Sequence, residues 1–220
     1  MGRGRSGRMT SSNTASVKVS QVQQHPQITD INAFGENRLP QDERIQWLQN
    51  TLNTSSDQAI NDEATVWNFT GGGFTAMHNN TNTVGNDVID AIIDNPNSPV
   101  YVGTQYRGLK FYGKHGKTPQ EGLNALINGG VWTEKGATSF SAKKSVAEGF
   151  AGWHGNSGSY VRTVVVYQNP TTGMPIKHLS RFDYEDEVLH SRKQMTNGYK
   201  ITSHQWLNNG KKVIIYITDK

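Results

Sequence analysis

The sequence contains no cysteine in its 220 residues. Disulfide bonds, cysteine-ligated zinc and thiol catalysis are therefore excluded, and cysteine usage gives no information about the redox state of the compartment. No apolar run approaches the roughly 18 residues of a membrane-spanning helix. Residues 1–20 are basic but lack the apolar stretch of a secretory signal peptide, so we do not interpret them as one.

Recognisable metal and phosphate motifs are also missing. The 7 histidines are scattered, with no H-E-x-x-H sequence and no close pair, so we predict no metal site. The run Gly71-Gly72-Gly73 lacks the preceding strand and the following lysine of a phosphate-binding loop. We therefore interpret this run as a flexible turn.

The formal net charge of +4 comes from the N-terminal segment, because residues 1–20 hold three arginines, one lysine and no acid. The rest of the chain has 18 basic and 18 acidic side chains. A body without net charge gives no reason to expect nucleic-acid binding outside that segment. Residues 1–37 are rich in Ser, Gln, Asn, Gly and Arg, which predicts a flexible arm.

Residues 38–220 are predicted to form one α+β domain. Residues 38–98 are predicted to be helical, because apolar side chains recur there at helical spacing. Residues 99–220 are predicted to be mainly β, with a helix capped at Thr118 and a C-terminal hairpin that turns at "NNG". Helices come first and strands later without regular alternation, which argues against a doubly wound sheet.

Three candidates for chemistry lie at or near predicted strands. An arginine fork such as that of Arg107 suits a pyrophosphate, and Gly108 after it would let the backbone approach a ligand closely. The turn Ser139-Phe140-Ser141 follows another strand. Phe150 lies on the next short helix, beside the loop "AGWHGNSGS". Each has an ordinary alternative, such as a surface arginine, a simple turn or a phenylalanine packed in the core.

A fourth candidate is the acidic run in "YEDEVLH". In an extended segment, residues two apart point to the same side, so Glu185 and Glu187 would face one pocket while Asp186 points away. Val188 and Leu189 are typical of a buried strand that starts there. The alternative is a solvated loop that ends where the strand begins.

The order Arg, Ser-x-Ser and Glu-x-Glu, each at a predicted strand, resembles the mono-ADP-ribosyltransferases of the Arg-Ser-Glu class. This class includes clostridial binary toxins, vertebrate ecto-enzymes and some phage enzymes. "SFSAKKSVAEGFA" is similar to the family's Ser-Thr-Ser segment and the Val-Ala-x-x-Phe after it, and "YEDEVLH" is similar to its Glu-x-Glu-Val-Leu. "WNFTGGGFTAMHN" resembles Tyr-Thr-x-x-x-Tyr-x-x-x-Asn, with Phe69-Thr70 and Asn79 or Asn80 in place.

The resemblance covers roughly residues 40–220 and has two departures. Phe140 replaces the middle residue of Ser-Thr-Ser. The loop expected to contact the phosphate and nicotinamide, "AGWHGNSGS", has no arginine, and His154 is its only potentially basic group. Pyrophosphate binding is therefore expected to depend on Arg107.

The resemblance implies an ADP-ribosyltransferase fold, with the N-terminal helices packed on a split antiparallel or mixed sheet. It implies NAD as co-substrate and release of nicotinamide. Glu187 would stabilise the oxocarbenium ion, and Ser139 would orient Glu187 or the nicotinamide ribose. The Gly108 backbone would hold the nicotinamide amide, and Phe150 would stack on its ring.

The resemblance also implies the acceptor, because a Glu at the first Glu-x-Glu position accompanies arginine targets. Glu185 would bind the guanidinium of a target protein and accept its proton. We expect a monomeric effector-like or phage enzyme that acts in a host cytoplasm, without a metal or a membrane partner. NAD hydrolysis, transfer to nucleic acid through the basic arm, and an inactive binding module of the same fold remain alternatives.

Overall fold

The computed structural model describes residues 25–113, 116–155 and 158–220. The basic segment of residues 1–20 lies outside them. Residues 25–37, which were predicted to continue the flexible arm, contain a short strand that pairs in parallel with Val100–Tyr101. Phe34 also packs edge-on against Trp47, with ring centroids 5.1 Å apart. The arm boundary predicted at residue 37 is therefore wrong for this stretch, because strand pairing and aromatic packing hold it on the domain.

Helices form the first part of the domain, as predicted. Ser55 caps α2 through its side chain, and Asn82 caps α4 in the same way. Ile89, Ile92 and Ile93 of α4 enter a core shared with α1 and α2. The helices of this part are α1 Gln41–Leu52, α2 Ser56–Asn68, α3 Phe74–His78 and α4 Thr83–Asp94.

The glycine run does not form the flexible turn that was predicted. Phe69–Gly73 continues the helical path from α2 into α3, with one kink at Gly71, whose φ of −120° and ψ of −127° are not helical. A Cβ on Gly71 would lie 2.9 Å from Cζ of Arg181, at the far end of a flexible side chain that could move aside. The kink directs Phe69, Thr70 and Phe74 towards the same cavity.

The strands and the remaining helices follow. The Thr118 capping box predicted for α5 is confirmed, whereas the short helix α7 was missed. Strand β6 is buried on both faces, which its β-branched sequence explains. These elements are β1 Gln27–Ile28, β2 Val100–Tyr101, β3 Gln105–Tyr112, α5 Pro119–Asn128, β4 Val131–Trp132, β5 Thr138–Ser141, α6 Lys144–Ala151, β6 Tyr160–Tyr167, β7 Met174–Pro175, β8 Glu187–His190, α7 Arg192–Asn197, β9 Tyr199–Leu207 and β10 Lys212–Thr218.

Eight of these strands form one mixed sheet in the order β4-β9-β10-β6-β3-β5-β8-β7. Strands β3 and β6 pair along eight residues, whereas β3 and β5 share only the pair Tyr106 and Ser141. The sheet therefore divides between β3 and β5, as expected for a split sheet. Helix α5 packs on one face of the larger part and α6 on the other, while α1, α2 and α4 pack against β7 and β8.

Within the described ranges, no helix is both long enough and apolar enough to cross a lipid bilayer.

Candidate functional site

The gap in the sheet opens into a cavity of about 510 Å³. Strands β3, β5 and β8 supply one side of it, the kinked segment after α2 another, and α6 a third. All six candidate residues from the sequence line this cavity. They are Arg107, Gly108, Ser139, Phe150, Glu185 and Glu187.

Glu187 begins β8 and is 5% exposed. The hydroxyl of Ser180 donates a hydrogen bond to its Oε2 at 2.8 Å, and the Ser139 side chain also hydrogen-bonds to the carboxyl group. Burial raises the pKa of Glu187 to about 7, the two serine hydrogen bonds oppose this rise, and the charge of Glu185 adds to it. Sequence reasoning found Ser139 but missed Ser180.

Glu185 reaches the cavity by a route that the sequence did not predict. It ends a single 3₁₀ turn, Asp183–Glu185, and Asp186 after it has a left-handed backbone with φ 45° and ψ 54°. The argument from an extended segment was therefore wrong, because the left-handed turn separates Glu185 from the strand. Both residues nevertheless line the cavity, and burial raises the pKa of Glu185 as well.

Asp186 was predicted to point away from the pocket, and it is not among the residues that line the cavity. It is only 3% exposed, so a solvated loop does not describe it. Its carboxylate forms ion pairs with Lys143 at 2.8 Å and Lys177 at 3.0 Å. The three consecutive acids therefore occupy three different environments.

Arg107 is held by protein groups rather than being fully available to a ligand. Its Nε and Nη2 donate to the two carboxylate oxygens of Glu134 at 2.7 and 3.0 Å, and its Nη1 donates to the Ser139 carbonyl at 2.9 Å. These bonds tie β3 to β5 and to the segment between β4 and β5. A guanidinium carries five N–H groups, so two remain for other partners.

The glycine after Arg107 has a packing explanation. A Cβ on Gly108 would lie 1.6 Å from the carbonyl oxygen of Ala147, so only glycine lets α6 approach β3 this closely. Phe150, on the same helix, is 57% exposed and faces the cavity. Its alternative as a core residue is therefore not supported.

The stretch similar to Tyr-Thr-x-x-x-Tyr-x-x-x-Asn contributes Phe69, Thr70 and Phe74 to the cavity, but neither Asn79 nor Asn80. Counted from Phe74, the family's Asn position falls on His78, which stacks on Phe74 with ring centroids 5.3 Å apart. His78 Nε2 lies 3.1 Å from Glu134, and burial lowers the pKa of His78. His78 therefore contacts the group that holds Arg107.

Two other sequence predictions concerned His154 and the absence of a metal site. His154 is exposed and lies 3.6 Å from Glu148 through its Nε2, outside the cavity lining. Part of its loop lies beyond the described residues. Among the residues that the structure does describe, no three histidine or carboxylate side chains lie close enough together to hold a metal ion.

No protein-family model matches the sequence, and the comparison with curated proteins also finds no match. Solved structures do match the fold. The ADP-ribosyltransferase HopU1 of Pseudomonas syringae pv. Tomato DC3000 matches with a TM-score of 0.55 at 13% identity, over 83% of this chain and 88% of that one. An ADP-ribosyltransferase from Clostridium botulinum matches with a TM-score of 0.51 at 15% identity, over 81% of this chain and 94% of that one.

The chain has the mono-ADP-ribosyltransferase fold. A third structure with this fold, the ADP-ribosyltransferase Vis from Vibrio splendidus in complex with agmatine, matches with a TM-score of 0.50 at 19% identity, over 82% of this chain and 86% of that one. The fold predicted from the resemblance is thereby confirmed. At these identities the likeness establishes the fold, while activity and acceptor depend on the residues of this cavity.

Proposed function

We propose that the protein transfers ADP-ribose from NAD to an arginine side chain of a target protein and releases nicotinamide. The observation that supports this most is the pair of carboxylates in one cavity, Glu187 buried in the sheet and Glu185 on the adjoining turn. The mono-ADP-ribosyltransferase fold supports the same reaction class.

The first bond to break is that between the nicotinamide nitrogen and C1′ of its ribose. The bonding electron pair leaves with nicotinamide, and positive charge develops on the ribose as an oxocarbenium ion. A carboxylate fixed beside the ribose 2′-hydroxyl stabilises this charge, and Glu187 has that role. Ser180 and Ser139 hold the carboxyl group in one orientation.

The second step forms a bond from an acceptor nitrogen to C1′. A guanidinium is protonated in water and therefore a poor nucleophile. Glu185 binds it through paired hydrogen bonds and takes the proton that the attacking nitrogen loses. The products are ADP-ribosylated arginine, nicotinamide and one proton.

Arg107 contributes mainly as part of the cavity wall. Three of its N–H groups bind Glu134 and the Ser139 carbonyl, so only the remaining two can reach a phosphate oxygen of NAD. Phe150 provides an exposed ring for the nicotinamide to stack on.

The test uses agmatine, a small guanidine, as acceptor, because an agmatine complex exists for Vis. Purified protein is incubated with NAD, with and without agmatine, and mass spectrometry measures free nicotinamide and ADP-ribosyl-agmatine. Formation of the conjugate is the expected result. Nicotinamide release without a conjugate would favour the glycohydrolase alternative, and no release at all would favour an inactive binding module.

The Phe150→Ala variant is expected to raise the KM for NAD about 3- to 10-fold, since an aromatic stacking contact contributes about 0.5–1.5 kcal/mol beyond area burial. The ring is exposed, so the melting temperature should change little. Steady-state nicotinamide release at varied NAD measures the effect. Tyr112→Ala removes a similarly exposed ring outside the cavity and should leave KM unchanged. An unchanged KM for Phe150→Ala would contradict the stacking role.

The Ser180→Ala variant should shift the pH dependence of NAD cleavage to higher pH. The active form of Glu187 is the carboxylate, so kcat/KM for NAD should rise as pH passes about 7. Removing the hydrogen bond from Ser180 removes one group that lowers this pKa, so the midpoint moves up.

Ser98→Ala is the control for this shift, because Ser98 is also a buried serine with a hydrogen-bonded hydroxyl, in the loop after α4. It should affect stability without moving the midpoint. Equal midpoints for Ser180→Ala and the wild type would contradict the role of Ser180.

A further inference from the structure

The chain between β7 and β8 closes on itself beside the cavity. The Ile176 N–H donates to the carbonyl of Glu187 at 2.9 Å, which joins the two ends of this segment. One residue further into this segment from each end, Lys177 Nζ lies 3.0 Å from Asp186 Oδ1. We call residues 177–186 the closing loop, and Glu185 lies near its end.

Asp186 is the acid of the closing loop that forms ion pairs. Its side chain is 4% exposed, and Lys177 and Lys143 both form ion pairs with it. The Lys177 side chain is itself only 9% exposed and also donates to the Asn32 side chain. Breaking a buried ion pair leaves an uncompensated charge and is strongly destabilising, so this arrangement resists local rearrangement.

The same residue sets the direction of the chain before β8. Its left-handed backbone, with φ 45°, is a conformation that Asp and Asn adopt more readily than most residues. Its carbonyl accepts a hydrogen bond from the Ala142 N–H at 2.9 Å, and the Ser141 hydroxyl donates to the Glu185 carbonyl at 2.6 Å. The backbone on both sides of the turn is therefore fixed to the end of β5.

We propose that Asp186 is a positioning residue, whose carboxylate, held by Lys177 and Lys143, fixes the left-handed turn that presents Glu185 to the cavity. This rests on the proposed function, in which Glu185 serves transfer and Glu187 serves cleavage of NAD. Glu187 is fixed by its place in β8, which pairs with β5, and by the hydrogen bond from Ser139 of β5, both outside the closing loop, so loosening the turn at Asp186 affects mainly Glu185.

The Asp186→Asn variant tests this assignment, because asparagine keeps the size and tolerates the left-handed turn but removes the charge. We expect the ratio of ADP-ribosyl-agmatine to nicotinamide formed with agmatine to fall at least about fivefold. Nicotinamide release without acceptor should stay within about threefold of wild type. The split between the two reactions separates positioning from a general loss of structure, which would lower both together.

Two further variants complete the experiment. Lys143→Ala removes the half-exposed lysine, so the variant should fold normally. It should lower the ratio of ADP-ribosyl-agmatine to nicotinamide to a smaller extent than Asp186→Asn. If Asp186→Asn does not fold, this variant tests the proposal in its place. Asp94→Asn breaks an exposed ion pair between Asp94 of α4 and Lys193 of α7, and it should leave both the ratio and nicotinamide release unchanged. An unchanged ratio in the folded variants, or a parallel loss of both reactions, would overturn the proposal. Absence of nicotinamide release from the wild type would instead overturn the proposed function, and this assignment with it.

Discussion

Glu187→Gln is expected to lower nicotinamide release and ADP-ribose transfer together by about 10²- to 10³-fold, the usual cost of losing one electrostatic stabiliser of a transition state. The amide has the shape of the carboxyl group and can still accept the hydrogen bond from Ser180. It carries no charge, however, so it cannot stabilise the oxocarbenium ion. Single-turnover release of nicotinamide from NAD measures the loss directly.

The same variant should be at least as stable as the wild type above pH 7. Burial raises the pKa of Glu187 to about 7, above its ordinary value of 4.5. The folded protein therefore favours the protonated form, so the free energy of unfolding falls as the pH rises from about 4.5 to about 7, and this loss is complete once the buried group has ionised. Glutamine never ionises, so this loss disappears and the midpoint of thermal unfolding at pH 8 should not decrease.

Glu148→Gln is the matched control, since Glu148 lies on α6 outside the cavity lining and pairs with Lys144. It should keep activity near the wild-type level. Wild-type rates of nicotinamide release in Glu187→Gln would show that the charge on this residue is not needed, and the proposed mechanism would then fail at its first step.

Local sequence signals predicted the elements that local interactions stabilise. The capping box of α5 needs only Thr118 and Glu121, three residues apart, and it formed as expected. The same signal was present for α7, where Ser191 and Gln194 form a second capping box that sequence reasoning overlooked. Residues 25–37 were misread because their order comes from contacts with distant residues such as Val100, which composition does not reveal.

The candidate site was predictable only in part, because it too depends on contacts between residues that are distant in the sequence. The family resemblance placed Arg107, Ser139 and Glu187 along the chain, but it could not show that Glu134 holds Arg107 from 27 residues away. Ser180 binds Glu187 only because the closing loop returns on itself. Asp186 did carry a signal, since aspartate tolerates a left-handed backbone, but its ion pairs with Lys177 at the other end of the closing loop and with Lys143 after β5 could not be read from the local sequence.

In the proposed mechanism, the acidic run combines three tasks in consecutive residues. Glu187 is buried at the start of a strand, where desolvation disfavours its charged form. That charge would stabilise the positive charge that develops on the ribose. Asp186 has lost its contact with solvent but is compensated by two lysines. Glu185 retains access to the cavity, which fits a group that has to meet an incoming acceptor. This division of tasks predicts that the two reactions can be separated by mutation.

Glu185→Gln should separate them most clearly. Transfer to agmatine is expected to fall about 10²-fold or more, because an amide can neither pair with a guanidinium as an ion nor accept its proton. Nicotinamide release without acceptor should persist, since Glu187 and its two serines are untouched. The conjugate and free nicotinamide, measured in one reaction, give the ratio.

The pH profile of this variant provides a second, independent signature. The charge of Glu185 helps to raise the pKa of Glu187, so its removal lowers that pKa and moves the midpoint of NAD cleavage to lower pH. At pH 6, NAD cleavage by Glu185→Gln should therefore be faster, relative to its own plateau, than cleavage by the wild type. Glu43→Gln, on an exposed face of α1, should show neither change. If Glu185→Gln kept full transfer to agmatine, this carboxylate would not bind the acceptor. The assignment of arginine as the target would then lose its basis. The role of Glu187 in NAD cleavage would still be decided by its own variant.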